Sequence, residues 1–220
     1  MVGEPTSQSR LGDTIKVGRR GSLNATITVE GSQGHVAYPD RADNPIPRLL
    51  KFLQAVESHS LDQGNTVFQP SNLEITDLHV GNDAVNIIPA EARARLNIRF
   101  NVLQTGAGLK AWLEKTAAET AGRHRLDVRI SGEAFLTQAG PLIDIAAQAV
   151  ADVTGEKPVL STTGGTSDAR FITHYAPVLE CGLIGATMHK VDEQVATGDI
   201  VALSQIYGAM LRRYFALAAT

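Results

Sequence analysis

The sequence predicts a mixed α/β protein with a ferredoxin-like βαββαβ unit set into part of a second, layered α/β unit. Three observations carry this. Residues 22–134 switch between period-two and helical patterning in the order βαββαβ. Residues 141–217 instead alternate helices with short, continuously apolar runs. A glycine-bearing turn, Ser161 to Phe171, joins one such run to a helix-like segment.

In the first unit, Leu23, Ala25, Ile27 and Val29 alternate with Asn24, Thr26, Thr28 and Glu30, the pattern of a half-buried strand. Asn44-Pro45-Ile46-Pro47 then opens a helix, with Asn at the cap and Pro in the first turn. Leu49, Leu50, Leu53 and Val56 are its expected apolar face. Leu73, Ile75 and Leu78 mark a second strand, and Ala92, Ala94, Leu96, Ile98 and Phe100 a third. A helix over 106–121 carries Leu109, Trp112, Leu113 and Thr116 at helical spacing. Leu126, Val128 and Ile130 form the fourth strand. Four antiparallel strands with two helices on one face follow from this order.

Elsewhere the patterning predicts a helix over 141–153, a buried strand over 158–161 and a short helix over 168–174. A second buried strand over 177–184 and a helix over 198–217 complete it, with residues 216–220 expected to fray. These strands are few for a full sheet. The expected division is 1–21 with 135–220 as one partial domain and 22–134 as the other.

Composition excludes several classes. A net charge of -3 and a pI of about 6.1 do not suit a nucleic-acid or polyanion partner. No apolar run reaches the roughly 18 residues of a membrane span. No signal peptide is visible after Met1, and the single cysteine, Cys181, excludes an internal disulfide. A cytoplasmic protein is expected. Cys181 lies in an apolar run without a neighbouring base and reads as a buried strand residue.

The candidate chemistry sits in short motifs. In Ser161 to Phe171 the Gly164-Gly165 pair permits close backbone approach. Its N–H groups, hydroxyls and following helix suit a carboxylate; the plainer alternative is a strand–turn–helix junction with Ser167 or Asp168 as N-cap. Glu4, in Val2-Gly3-Glu4-Pro5-Thr6, is either a metal ligand or a surface carboxylate. His189, in Thr187-Met188-His189-Lys190, has the chemistry of a metal ligand, with Asp192 and Glu193 behind it to orient the ring or cap a turn. His35 follows Gly34 and can present its ring to an oxyanion, or be a polar loop residue. Arg19-Arg20-Gly21-Ser22 is a carboxylate clamp or a solvated basic turn. Asn86 precedes Ile87-Ile88-Pro89 as a turn or substrate residue, and Arg99 lies on the polar face of the third strand, where pairing with an acid is the plainer alternative. His59, His79, His124 and His174 lack supporting context.

Taken together, Val2 to Ser7, Gly18 to Ser22, Gly34 to Pro39, Asn86 to Pro89, Ser161 to Phe171 and Met188-His189 occur in an order and spacing that resemble the M20 group of dinuclear-zinc amidohydrolases. Arg19 to Ser22 and the Ser161–Phe171 string favour the branch that removes a succinyl group from diaminopimelate on the route to lysine. The resemblance implies that Glu4 and His189 are terminal ligands to two zinc ions, with cobalt or manganese acceptable in their place. It implies that His35 is lent to a partner subunit's site to polarise the scissile carbonyl. Arg19, Tyr38, Asn86, Arg99, Gly165 and Thr166 match positions that bind the substrate's carboxylates. Residues 22–134 match a homodimerisation domain inserted in a zinc-hydrolase catalytic domain. Neither nucleic acid nor membrane is an implied partner.

Two departures stand beside these matches. The family's catalytic domain begins well before the Glu4 motif, and that part carries a histidine ligand, a bridging aspartate and the general-base glutamate. Without them the chain is expected to be inactive alone. Gly185-Ala186 stands where some members carry Asn, so one amide contact to substrate is expected to be absent. A sibling acetylornithine deacetylase, an N-acyl amino-acid hydrolase, or a non-catalytic dimerising fragment are the alternatives.

Overall fold

The structure is a computed structural model and describes residues 1–217. In chain order its elements are β1 (Thr14–Lys16), β2 (Gly18–Arg19), β3 (Gly21–Glu30), β4 (Gly34–His35), a 3-10 turn (Pro39–Arg41), α1 (Pro45–Glu57), β5 (Asn72–His79), β6 (Ile87–Ile88), β7 (Glu91–Phe100), α2 (Gly106–Thr120), β8 (His124–Gly132), β9 (Phe135–Leu136), α3 (Pro141–Thr154), β10 (Val159–Ser161), α4 (Ala169–Ile172) and α5 (Thr197–Leu217). They divide into two compact units, Gly21–Ala134 and Met1–Arg20 with Phe135–Thr220.

The Gly21–Ala134 unit is a four-stranded antiparallel sheet in the order β5-β7-β3-β8. Strict alternation in β3 and β7 puts Leu23, Ala25, Ile27, Val29 and Ala92, Ala94, Leu96, Ile98 on one face. Helices α1 and α2 cover that face with Leu49, Phe52, Leu53, Val56, Leu109, Leu113 and Ala117. Asn44 caps α1 by accepting the Ile46 N–H, and Thr105 caps α2 by accepting the Gly108 N–H. The buried face of α1 is rotated from the sequence expectation: Phe52 is buried and Leu50 is exposed. In β5 a bulge falls between Ile75 and Asp77, and it returns Leu78 to the side of Leu73 and Ile75. That insertion explains an apolar spacing that simple alternation does not fit.

The second unit has its own core of Ile15, Val17, Ile143, Ala146, Ala149, Val150, Leu179, Cys181, Leu203, Ile206 and Met210. Helix α3 ends at Gly155, whose φ of 78° places it in the left-handed region. Helices α3 and α5 pack together, with α5 spanning Thr197–Leu217. It therefore runs through Ala216 and Leu217, where fraying is expected, while residues 218–220 lie outside the described residues.

Several expectations for this unit are corrected. The strand predicted over 158–161 is present as β10, but it is not buried: Val159 is 65% and Leu160 47% exposed. Its one ladder is parallel to β1, an element the sequence reading does not anticipate. An apolar run signals preference for cover without showing that cover is present. The strand predicted over 177–184 does not form. Val178 to Cys181 are buried as predicted, but they are held by isolated bridges, Val2 with Glu180, Lys16 with Glu180 and Ser7 with Ile184. Cys181 is thus buried coil, and burial pushes its thiol up to about 11. The helix predicted over 168–174 is the single turn α4.

Candidate functional site

The Met1–Arg20 and Phe135–Thr220 unit contains a cleft of about 490 Å³ lined by Glu4, Lys16, Arg19, Gly164, Gly165, Thr166 and His189, among others. A larger hollow of about 600 Å³ between the start of α3 and the segment after α4 has His174 and Tyr175 as its only ionisable groups. The charged cleft is the candidate site. It gathers residues from three distant stretches of sequence, and every one of the predicted residues Glu4, Arg19, Gly165, Thr166 and His189 lies on its wall.

Arg19 is buried, and its partner is internal. Its Nε donates to Glu180 Oε2 at 2.9 Å, and Nη2 pairs with the same oxygen. Its Nη1 donates to the Thr163 carbonyl at 3.1 Å. The solvated-turn alternative does not describe this residue. Gly164 sits against it: a Cβ there would lie 2.3 Å from Nη1, and φ is 105°. Both features demand glycine. Ser167 Oγ donates to the other Glu180 oxygen. Lys16 completes the floor, with Nζ donating to Ser161 Oγ at 3.0 Å and Thr163 Oγ1 at 2.8 Å. Burial, then the neighbouring Arg19 charge, pushes the Lys16 ammonium below its ordinary value.

Lys16 and Glu180 are residues the sequence reading missed. Glu180 had a legible signal: a single carboxylate within Val178-Leu179-Glu180-Cys181, which burial obliges to find a cation. Lys16 had none.

His189 has φ 63° and Asp192 φ 62°, uncommon for residues with a side chain. Thr187 Oγ1 donates to the Gln194 carbonyl at 2.9 Å and accepts the Gln194 N–H at 3.1 Å, closing the loop that carries His189. Glu193 Oε2 accepts the His189 backbone N–H at 3.3 Å, so it holds the main chain here and not the ring. Glu4 and His189 are two metal-capable donors. Among the described residues no group of three or more His, Cys, Asp or Glu could hold a metal ion. These side chains therefore do not by themselves make a metal centre.

In the Gly21–Ala134 unit, β4 pairs with β6, with His35 opposite Ile87 and the Val36 N–H donating to the Asn86 carbonyl at 3.0 Å. This ladder brings the Gly34-to-Pro39 and Asn86-to-Pro89 motifs together, which local sequence does not reveal. His35 Nδ1 accepts the Ala37 N–H at 3.0 Å, so the neutral ring carries its proton on Nε2 and presents a donor. The rings of His35 and Tyr38 are 5.8 Å apart, and both side chains are exposed. Arg99 lies on β7 opposite Ser22 and Asn72, so neither cross-strand neighbour is an acid.

Comparison with known proteins defines the class. The M20 model described as "Peptidase dimerisation domain" matches residues 17–125. The fold matches the aminopeptidase PepT of Bacillus cereus with a TM-score of 0.76 at 19% identity, covering 94% of this chain and 55% of that one. It matches an M20 family metallo-carboxypeptidase of Sulfolobus solfataricus with a TM-score of 0.76 at 12% identity, covering 96% and 62%. The chain thus has the fold of M20 peptidases, and residues 17–125 match the dimerisation domain of that family. The chain is 56% identical over 220 residues to a succinyl-diaminopimelate desuccinylase of Parvibaculum lavamentivorans, covering 98% of this chain and 56% of that protein. It is equally identical to the protein of that name in Caulobacter vibrioides, covering 98% and 57%. The chain thus spans little more than half the length of these relatives.

Proposed function

We propose that this chain forms part of a metal-dependent amidohydrolase that cleaves N-succinyl-LL-2,6-diaminopimelate to succinate and LL-diaminopimelate in lysine biosynthesis. The observation that carries the reading is 56% identity across almost the whole chain to desuccinylases, joined to a cationic, glycine-walled cleft. In this reading Met1–Arg20 with Phe135–Thr220 is part of the catalytic domain. Gly21–Ala134 is the dimerisation domain of a cytoplasmic homodimer.

Glu4 and His189 are assigned as metal ligands, zinc being the expected ion, within a centre that needs donors besides these two. Such a centre polarises an amide carbonyl. The chain's own groups bind and orient. The Gly165 and Thr166 backbone and the Arg19 guanidinium face a carboxylate in the cleft. Tyr38, Asn86 and Arg99 are assigned to the substrate's remaining carboxylates. His35 Nε2–H, contributed by a second copy, is assigned as the donor to the oxyanion.

Calorimetric titration of the purified chain separates this reading from a sibling deacylase. N-succinyl-LL-diaminopimelate is expected to bind at least about tenfold more tightly than N-acetylornithine, because the acetyl compound keeps one α-carboxylate and lacks the succinyl and distal carboxylates that these donors would pair. Equal binding, or tighter binding of the acetyl compound, favours the deacylase.

A further inference from the structure

We infer that Glu180 is a positioning residue for the cleft: it fixes both the Arg19 guanidinium and the Gly164–Thr166 turn in the geometry that meets a ligand. The inference rests on the reading of the cleft as a carboxylate site.

The backbone of Glu180 is held from two sides. Its N–H donates to the Lys16 carbonyl at 2.8 Å, and its own carbonyl accepts the Lys16 N–H at 2.9 Å. On either side, the Val2 N–H donates to the Leu179 carbonyl and the Cys181 N–H to the Val2 carbonyl. With the residue 0% exposed, its carboxylate has no water to turn toward and little freedom to move.

The two oxygens divide the work. Oε2 takes the Nε and Nη2 edge of Arg19, leaving Nη1 to reach the Thr163 carbonyl. That presses the guanidinium against Gly164, where a Cβ would collide with Nη1. Oε1 takes the hydroxyl of Ser167, the residue just past Thr166, and the Ser167 oxygen in turn accepts the Ala169 N–H at 3.3 Å. One carboxylate thus pins the chain at both ends of Gly164–Thr166, through Arg19 and Thr163 before it and through Ser167 after it. Glu180 does not line the cleft, while Arg19, Gly164, Gly165 and Thr166 do. It acts through them.

A carboxylate that only filled space in the core would leave these groups where they are when replaced by an isosteric amide. The test is nuclear magnetic resonance of the purified chain as wild type, Glu180→Gln and Ser167→Ala. In ligand-free wild type the Arg19 Nε–H is expected to exchange slowly with solvent. Glu180→Gln speeds that exchange about tenfold or more, the worth of a charge-assisted hydrogen bond. It also shifts the Gly164 and Gly165 amides while the β3 and β7 amides stay in place. Ser167→Ala keeps the slow Arg19 signal and shifts the Gly165 and Thr166 amides. Unmoved Arg19 and glycine signals in Glu180→Gln overturn the inference. So do unmoved turn amides in Ser167→Ala, which decides the matter if Glu180→Gln does not fold.

Titration with N-succinyl-LL-diaminopimelate adds a second readout. Binding at least about tenfold weaker in folded Glu180→Gln than in wild type supports positioning, and equal binding contradicts it. If wild type does not bind, the carboxylate reading of the cleft fails, and the ligand-free spectra alone decide the role of Glu180.

Discussion

Asp13 shows how a single carboxylate can organise a segment next to the cleft. Its oxygens accept the backbone N–H groups of Gln8, Ser9 and Arg10 at 2.8–3.0 Å. Burial works to raise its pKa, and these donors together outweigh it and hold the group at about 2. Because the folded value lies below the ordinary 3.8, the stabilisation is present above about pH 4 and is lost as pH falls toward 2. Asp13→Asn should therefore cost about 1 kcal/mol at neutral pH, after discounting for the group's solvent exposure. The gap in melting temperature between the two proteins should close between pH 4 and 2. A gap that persists at pH 2 would contradict the assignment. Nothing in Ser9-Arg10-Leu11-Gly12-Asp13 singles this residue out in the sequence, because its partners are backbone groups. Arg19 was legible as a cation for a carboxylate, but its buried carboxylate belongs to the chain itself.

At the scale of elements, legibility follows periodicity. Strands β3 and β7 are long, alternate strictly and have one covered face, so their pattern reports both type and orientation. Segments 158–161 and 177–184 are short apolar runs, and such runs do not say whether a ladder forms. One became the exposed strand β10 and the other buried coil. The two-residue ladder of β4 with β6 is too short to leave any period, yet it joins the Gly34-to-Pro39 and Asn86-to-Pro89 motifs within the Gly21–Ala134 unit. The glycine turn was legible for its chemistry, and the structure supplies the reason for Gly164. Gly164→Ala combines a φ of 105° with a contact against a guanidinium that Glu180 restrains. It should destabilise the protein by about 1–2 kcal/mol, measured by urea unfolding. Gly165, with open space at its Cβ position and no positive φ, should accept Ala with a smaller loss. Equal costs at both positions would contradict this account of the turn.

At the scale of the whole molecule, each of the two units has its own core among the described residues. The Gly21–Ala134 unit has a continuous core between its sheet and two helices, and the other unit is assembled from segments on both sides of it. The sequence revealed the inserted unit because all its strand and helix signals are contiguous. It hid the discontinuous unit, where β1 pairs with β10 and β2 with β9 across the insertion. Residues 21–134 expressed alone should unfold in one cooperative thermal transition followed by circular dichroism. A broad, non-cooperative melt would show that this core does not stand by itself. The exposed Val159 and Leu160 of β10 belong to the other unit and should not affect that result.

Whether the cleft binds a carboxylate ligand is decided by an amide-resolved titration of the chain with N-succinyl-LL-diaminopimelate. Saturable shifts are expected at Gly164, Gly165 and Thr166 and at the Arg19 guanidinium, with the α3–α5 core unmoved. Shifts that do not saturate, or that fall on the larger hollow beside His174 and leave the glycine turn unchanged, would contradict carboxylate binding in the cleft.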